Sequence, residues 1–230
     1  MNDSVLFIIP TLYLRPSVAS KTIETAIAFL RPQDKLLVIY NGSPGDSKFF
    51  YSNLSNHLKI SNQVDFLENE RSPFNISTAV NVGVRVAEIN FDFFCFLHDD
   101  IHVYEPGWIE KYIEAYGRDP KTGSLGLRAH PLNHDYGQLP YQKVDWSDCI
   151  YMVKADRLKP FDESLWGDCE TQDHARQLEA DGYTNYRLLI NAKHVNARFA
   201  NKGDVRLEDL ASQAREVYAK KWGVQCQTKR

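Results

Sequence analysis

Short apolar runs alternate along this chain with longer stretches in which apolar residues recur every three or four positions. Val5–Ile9 is short and β-branched, which predicts a buried strand; Pro10 predicts its end, because proline donates nothing to a ladder. Val18, Thr22, Ile23, Ala26, Ile27 and Leu30 follow at helical spacing. They predict a helix over 17–30, with Ser17 as N-cap after Pro16 and Arg31-Pro32 as the stop. Lys35–Tyr40 predicts a second buried strand, ended by the turn signal Asn41-Gly42-Ser43-Pro44-Gly45. Residues 46–58 read as helical and Gln63–Leu67 as a short strand. Ile76, Ala79, Val80, Gly83, Val84 and Ala87 form one face of an amphipathic helix. Phe91–Leu97 is a fourth, more aromatic strand that runs into His98-Asp99-Asp100.

The second half is less regular. Helices are predicted over Gly107–Tyr116, Ala155–Lys159, Glu170–Asp181 (ended by Gly182) and Val205–Trp222. Strands are predicted near Leu125–Arg128, at Ile150–Lys154 and at Tyr186–Ile190. Residues 117–147 are rich in glycine, proline, histidine and asparagine. Alternation of short strands with helices predicts an α/β fold with a mostly parallel central sheet flanked by helices. No repeat, low-complexity tract or linker interrupts the 230 residues, so they read as a single domain.

Composition then narrows the function. Twenty-seven Lys+Arg against thirty Asp+Glu give a formal charge of −3, without the basic excess that a nucleic-acid-coating surface needs. No apolar run approaches the about 18 residues of a membrane span. The N-terminal MNDSVLFIIP is too brief for a signal peptide, and together these features predict a cytoplasmic protein. Cys95, Cys149, Cys169 and Cys226 form no C-x-x-C pair; they read as reduced thiols, with Cys95 in the core. The seven histidines show no H-E-x-x-H pattern.

Ligands of open α/β sheets bind beyond the carboxyl ends of the strands. Pro10, Thr11, Leu12 and Tyr13 follow the first strand, Asn41, Gly42 and Ser43 the second, and His98, Asp99 and Asp100 the fourth. In a parallel sheet these groups converge on one edge, a set that suits a nucleoside with a metal-bridged diphosphate. Two adjacent carboxylates repel unless a cation or protons offset them, and hard divalent ions take carboxylate and phosphate oxygens together. A solvated, Asx-capped turn is the other reading of Asp99-Asp100. His194 offers nitrogen to the same ion, or is a satisfied core or surface histidine. Between Phe161 and Tyr183, the acidic residues Asp162, Glu163, Asp168, Glu170 and Asp173 crowd around Trp166-Gly167. A carboxylate there suits a general base for an acceptor hydroxyl; helix capping and a solvated acidic face are the alternative.

The order of these motifs resembles that of the family 2 glycosyltransferases, with their GT-A (Rossmann-like) fold. FIIPTLYLRP is similar to that family's I-P-T-Y-N, and VIYNGSPGD to its V-V-D-N-G-S-x-D. FLENERSPFNISTAVNVGV is similar to N-x-G-x-x-x-A-x-N-x-G, with Asn69, Ala79, Asn81 and Gly83 in place. FLHDDI resembles the D-x-D strand end, and Pro106–Trp108 the P-G-W that follows it. FDESLWGDCETQDHARQLEADGY resembles the G-F-D-E, acidic cluster, Arg and Gly-Tyr run. AKHV resembles the late histidine and KKWG, at 220–223, the C-terminal K-W-G. Three departures stand out. His98 occupies the place of the first D-x-D carboxylate, Asn41 follows Tyr40 where an Asp is usual, and Asp168-Cys169-Glu170 replaces the usual E-D pair.

This resemblance implies a nucleotide-sugar-binding half over 1–104, an acceptor-side half with a small antiparallel portion over 105–203, and a C-terminal helix and tail over 204–230. It implies an inverting transfer from a nucleoside diphosphate sugar, UDP-linked, to a hydroxyl of a glycan or glycolipid, as in cell-surface polysaccharide synthesis. Asp100, His194 and His98 match the positions around a divalent cation, Mn2+ or Mg2+. Pro10, Thr11, Tyr13, Asn41, Ser43, Asn81 and Asp99 match nucleotide-sugar positions. Glu170 matches the catalytic base, with Asp168 and Asp173 as rivals, and Trp166 an acceptor-stacking ring. The stretch 129–140, with His130, His134 and Tyr136, is an acceptor loop or an ordinary surface loop. Two other classes compete: a nucleotide-sugar or glycan-binding module that has lost catalysis, favoured by His98, and a nucleotidyltransferase, disfavoured because TLYLRP holds no glycine. The basic tail residues Lys220, Lys221, Lys229 and Arg230 permit peripheral association with an anionic membrane.

Overall fold

A run such as Val5–Ile9 leaves no polar side chain to face water, so it is stable only between two layers. The computed structural model, which describes residues 3–11, 16–41, 53–54, 62–69, 75–87, 90–127, 141–147, 149–165, 169–195 and 205–226, places it there. The strands are Val5–Thr11 (β1), Lys35–Asn41 (β2), Val64–Asn69 (β3), Phe93–Leu97 (β4), Ile101–Val103 (β5), Thr122–Leu127 (β6), Tyr141–Lys143 (β7), Ile150–Lys154 (β8), Thr184–Leu188 (β9) and Ala192–His194 (β10). The helices are Pro16–Ile27 (α1), Ile76–Val86 (α2), Trp108–Tyr116 (α3), Glu170–Ala180 (α4) and Val205–Trp222 (α5), with a 3-10 turn at Ala155–Arg157.

The main sheet has the order β3-β2-β1-β4-β8-β6-β9-β7. Its first four strands are parallel; β8 runs antiparallel to both β4 and β6, β9 is parallel to β6, and β7 is antiparallel to β9. Side chains of β1, β2 and β4 alternate between two cores. Val5, Phe7, Ile9, Leu36, Val38, Phe93, Cys95 and Leu97 pack with Ile23 and Ala26 of α1 and with Trp108, Ile109, Tyr112 and Ile113 of α3. Leu6, Ile8, Leu37, Ile39, Phe94 and Phe96 pack on the opposite side with Ala79 and Val80 of α2 and Leu178 of α4. Each such buried aliphatic or aromatic side chain contributes about 1.5–3 kcal/mol. Helix α2 lies close enough that a Cβ on Gly83 would come within 2.7 Å of Ile39 Cδ1, so a larger residue there would have to push the Ile39 side chain aside.

The predicted strands and helices are present among the described residues with shifted ends, except that the helix expected at Ala155–Lys159 is only a 3-10 turn over Ala155–Arg157. Strand β1 runs through Pro10 to Thr11 instead of stopping at the proline. Its pairing with β4 ends at Ile8, so Pro10 sits where β1 has only β2 beside it, an edge-like position that tolerates a missing N–H. Ser17 lies inside α1 and not at its cap; Pro16 is the first helical residue, where its fixed φ and absent N–H cost nothing. The helix expected over 46–58 falls outside the described residues except for Asn53 and Leu54, which are helical. Strand β7 was not signalled, and β5 and β10, which form a separate antiparallel pair, are too short to show a period. Helix α5 buries Ala214 and Tyr218 against Leu165 and Cys169, beside the acidic segment rather than on the sheet.

One expectation is corrected outright. Cys169 and Cys226 form a disulfide, with Cα atoms 6.0 Å apart, so the four cysteines are not all reduced. The pairing is made by the fold of α5 back onto the start of α4, which spacing does not reveal. It also removes one support for a cytoplasmic location, since disulfides persist chiefly in oxidising compartments. No helix among the described residues is long and apolar enough to cross a membrane.

Candidate active site

Because β1, β2 and β4 are parallel, Thr11, Asn41 and Leu97 end at the same edge. The chain then turns through His98, Asp99 and Asp100 before β5. Asp99 is fixed first: its Oδ2 accepts from Thr11 Oγ1 at 2.7 Å, and its carbonyl from Thr22 Oγ1 at 2.8 Å. These bonds tie the strand end of β4 to that of β1 and to α1. Tyr13, Ser43, Trp166 and Asp168 fall outside the described residues, as does 129–140. Of Asn41 the structure describes only the backbone, paired with Asn69 at the end of β2.

Asp100 meets His194 through the small second sheet. Antiparallel β5 and β10 pair Ile101 with His194, and Val195 N donates to the Asp100 carbonyl at 2.8 Å. The side chains follow: His194 Nε2 lies 3.0 Å from Asp100 Oδ1. Both residues are buried, 7% exposed each. The second ring nitrogen of His194, Nδ1, is buried with no hydrogen-bond partner. Such a nitrogen is costly unless something takes its lone pair or its proton. His98 enters from the other sheet. Its N–H donates to the Cys149 carbonyl at 3.1 Å, and one donor atom from each of His98, Cys149 and His194 lies within 4.8 Å of the others.

The acidic segment lies beside this edge, held by α2. Asn75 caps that helix by accepting from Thr78 N at 3.1 Å and donates to the Glu163 carbonyl at 2.6 Å. Asn81 Nδ2 donates to the Phe161 carbonyl and to Glu163 Oε1, and its Oδ1 accepts from Phe161 N at 2.9 Å. Asn81, expected on the nucleotide side, thus spends its amide on the loop that leads to the acidic cluster.

Glu170 is the buried first residue of α4, at the positive end of the helix dipole. Asp173 is different. It is fully buried, accepts from Lys221 Nζ at 2.9 Å, from Trp222 Nε1 at 2.7 Å and from Gln177 Nε2 at 2.7 Å. A carboxylate so engaged is a clasp for the C-terminal helix, not a poised base. Lys221 also reaches Asp162 at 2.8 Å. Burial works against the Lys221 ammonium, but its bonds to Asp162 and Asp173 outweigh this and leave its pKa raised. The KKWG motif therefore acts by anchoring α5, and Lys221 is committed to that anchor rather than to a basic tail.

His174 locks α4 from beneath. It is buried, stacks on Phe161 at 4.5 Å, and its Nε2 lies 3.1 Å from the Lys159 carbonyl. A carbonyl only accepts, so Nε2 carries the proton and Nδ1 accepts from the Tyr151 hydroxyl at 2.9 Å. Burial holds the His174 pKa down to about 3. The unfolded chain binds this proton near the usual histidine value, so it is the more protonated state in between. Stability from His174 is complete above that value and falls as the pH drops toward 3. The expected loss is roughly 3 kcal/mol between about pH 7 and about pH 4, read as urea midpoints across that range. His174→Gln should flatten the slope; an unchanged slope would place the acid sensitivity elsewhere.

Residues 7–171 match the profile of Glycosyl transferase family 2, and the chain belongs to that family. A search of curated proteins finds no match. Among solved structures, the fold is similar to the mannosyltransferase PcManGT from Pyrobaculum calidifontis, in complex with GDP-Man and Mn2+ (TM-score 0.66, 12% identity, 96% of this chain and 76% of that one). It is similar to S. aureus TarS (TM-score 0.61, 11% identity, 96% and 44%). It is also similar to GalNAc-T7 with UDP, GalNAc and Mn2+ (TM-score 0.66, 13% identity, 80% and 42%). The chain spans less than half of the length of the last two, and the likeness is one of fold: α/β, of the GT-A type.

Proposed function

We propose that this family 2 glycosyltransferase is an inverting enzyme that uses a divalent cation to move a sugar from a nucleoside diphosphate sugar, UDP-linked, to a hydroxyl of a glycan or glycolipid. The observation that carries the reading is the buried Asp100–His194 pair at 3.0 Å. Asp100 Oδ1 and His194 Nε2 would together hold one Mn2+ or Mg2+, to which a carboxylate oxygen and a neutral imidazole nitrogen are both donors. When bound, such an ion offsets the charge that builds on a leaving diphosphate.

The rest belongs to the chain. Thr11 and Asp99 shape the floor on which the donor ribose or sugar would lie, and their mutual bond fixes the carboxylate. Asn41, Tyr13 and Ser43 would line the nucleoside side. Glu170 would take the proton of the acceptor hydroxyl as it attacks from the face opposite the diphosphate; Asp168 is its rival, and Trp166 would stack on the acceptor. Asp173 leaves that contest because of its bonds to Lys221, Trp222 and Gln177. A binding module that has lost catalysis is the second reading, favoured by His98 in place of a carboxylate.

The test is release of nucleoside diphosphate from a panel of donor sugars with added Mn2+. Release that depends on the metal supports the transferase. Donor binding by thermal shift, with no release from any donor in the presence of candidate acceptors, would leave the binding module.

A further inference from the structure

We infer that His98 and Cys149 complete the coordination of the ion at Asp100 and His194, making a nitrogen–sulfur–oxygen site that takes Zn2+ or Co2+ ahead of Mg2+ and Mn2+. This rests on the metal reading proposed above and changes the class of ion it admits.

The backbone makes the arrangement. Antiparallel β4 and β8 pair Leu97 with Ile150, so the next pair out is His98 with Cys149, confirmed by the bond from His98 N to the Cys149 carbonyl. Residues directly opposite in an antiparallel pair project on the same face. Cys149 N in turn donates to the Leu127 carbonyl at 3.0 Å, which seats the thiol between two strands rather than on a loose turn. The second sheet brings His194 from the other direction, its ring centroid 6.2 Å from that of His98. Three donor atoms therefore come from three separate chain segments, all within 4.8 Å of one another. Donors on one tetrahedral ion stand about 3.5 Å apart, so the three would draw together on binding it.

The chemistry of the donors decides the ion. Mg2+ is held by oxygens, and thiolate and imidazole favour softer or borderline metals. Cys149 is fully buried and not in a disulfide. On binding, the S–H bond of Cys149 is replaced by a metal–sulfur bond and its proton passes to solvent. The ion's oxidation state does not change.

The full-length chain is titrated with Co2+ and followed by absorption. Visible ligand-field bands report binding, and a near-ultraviolet sulfur-to-cobalt band reports the thiolate. The wild type should show both. Cys149→Ser should lose the sulfur band, keep ligand-field bands, and weaken Zn2+ beyond the about 10–100-fold that loss of an outer-shell partner produces. Cys95→Ser should keep the sulfur band, which assigns it without relying on the Cys149 variant to fold; His98→Ala should alter the ligand-field bands. Ligand-field bands with no sulfur band in the wild type, or a sulfur band that survives in Cys149→Ser, overturn the inference and leave the metal reading standing. No Co2+ or Mn2+ bound by the wild type overturns both.

Discussion

Asp100→Asn is expected to lower metal-dependent transfer by about 10³-fold or more, read as kcat/KM with Mn2+. Asparagine keeps the volume of the side chain, and the bond from Val195 N to the residue 100 carbonyl does not involve it, so the small sheet survives. What disappears is a negative charge 3.0 Å from His194 Nε2. Charge stabilisation by an ion at a leaving diphosphate is worth several kcal/mol, and each about 1.4 kcal/mol is tenfold in rate. Mn2+ binding measured by calorimetry should weaken in parallel. Unchanged turnover in the variant would remove Asp100 from the reaction and with it the proposed place of the ion.

Glu170→Gln is expected to lower kcat by about 10²–10⁴-fold, the usual worth of a general base, while donor affinity holds. Glutamine fits the same buried position at the start of α4 and keeps its size, but it cannot take a proton. The split between kcat and the donor's KM separates chemistry from a disturbed fold. A wild-type rate would shift the role to Asp168. It would not shift it to Asp173, whose oxygens are bound by Lys221, Trp222 and Gln177.

Much of this fold is readable from local pattern. Val5–Ile9, Lys35–Tyr40 and Phe91–Leu97 read as buried strands because both faces of a parallel sheet are covered, so both parities of side chain are apolar. The convergence of Thr11, Asn41 and Leu97 follows from that parallel order alone. Asp100 and His194 were expected together through resemblance, and the structure brings them together. Errors fell at ends: Pro10 continues a strand and Ser17 is not a cap, because each depends on what lies beside it in space.

Other features had no local signal. Asp173 looks in sequence like any acidic residue of its cluster, and only the arrival of Lys221 and Trp222 makes it a clasp. Cys169 and Cys226 are separated by 57 positions, and α5 alone decides that they meet. Asn81 carries a familiar motif, yet its partner Phe161, like the Glu163 whose carbonyl Asn75 binds, lies on a distant loop.

The amino-acid sequence by itself determined the layered α/β architecture and the edge at which polar groups gather, because hydrophobic period and strand ends are local properties. Tertiary structure alone decided which groups touch: His98 opposite Cys149 and Asp100 beside His194. Those contacts depend on the register of antiparallel strands far apart in the chain, and a slip of one residue would turn each side chain to the other face.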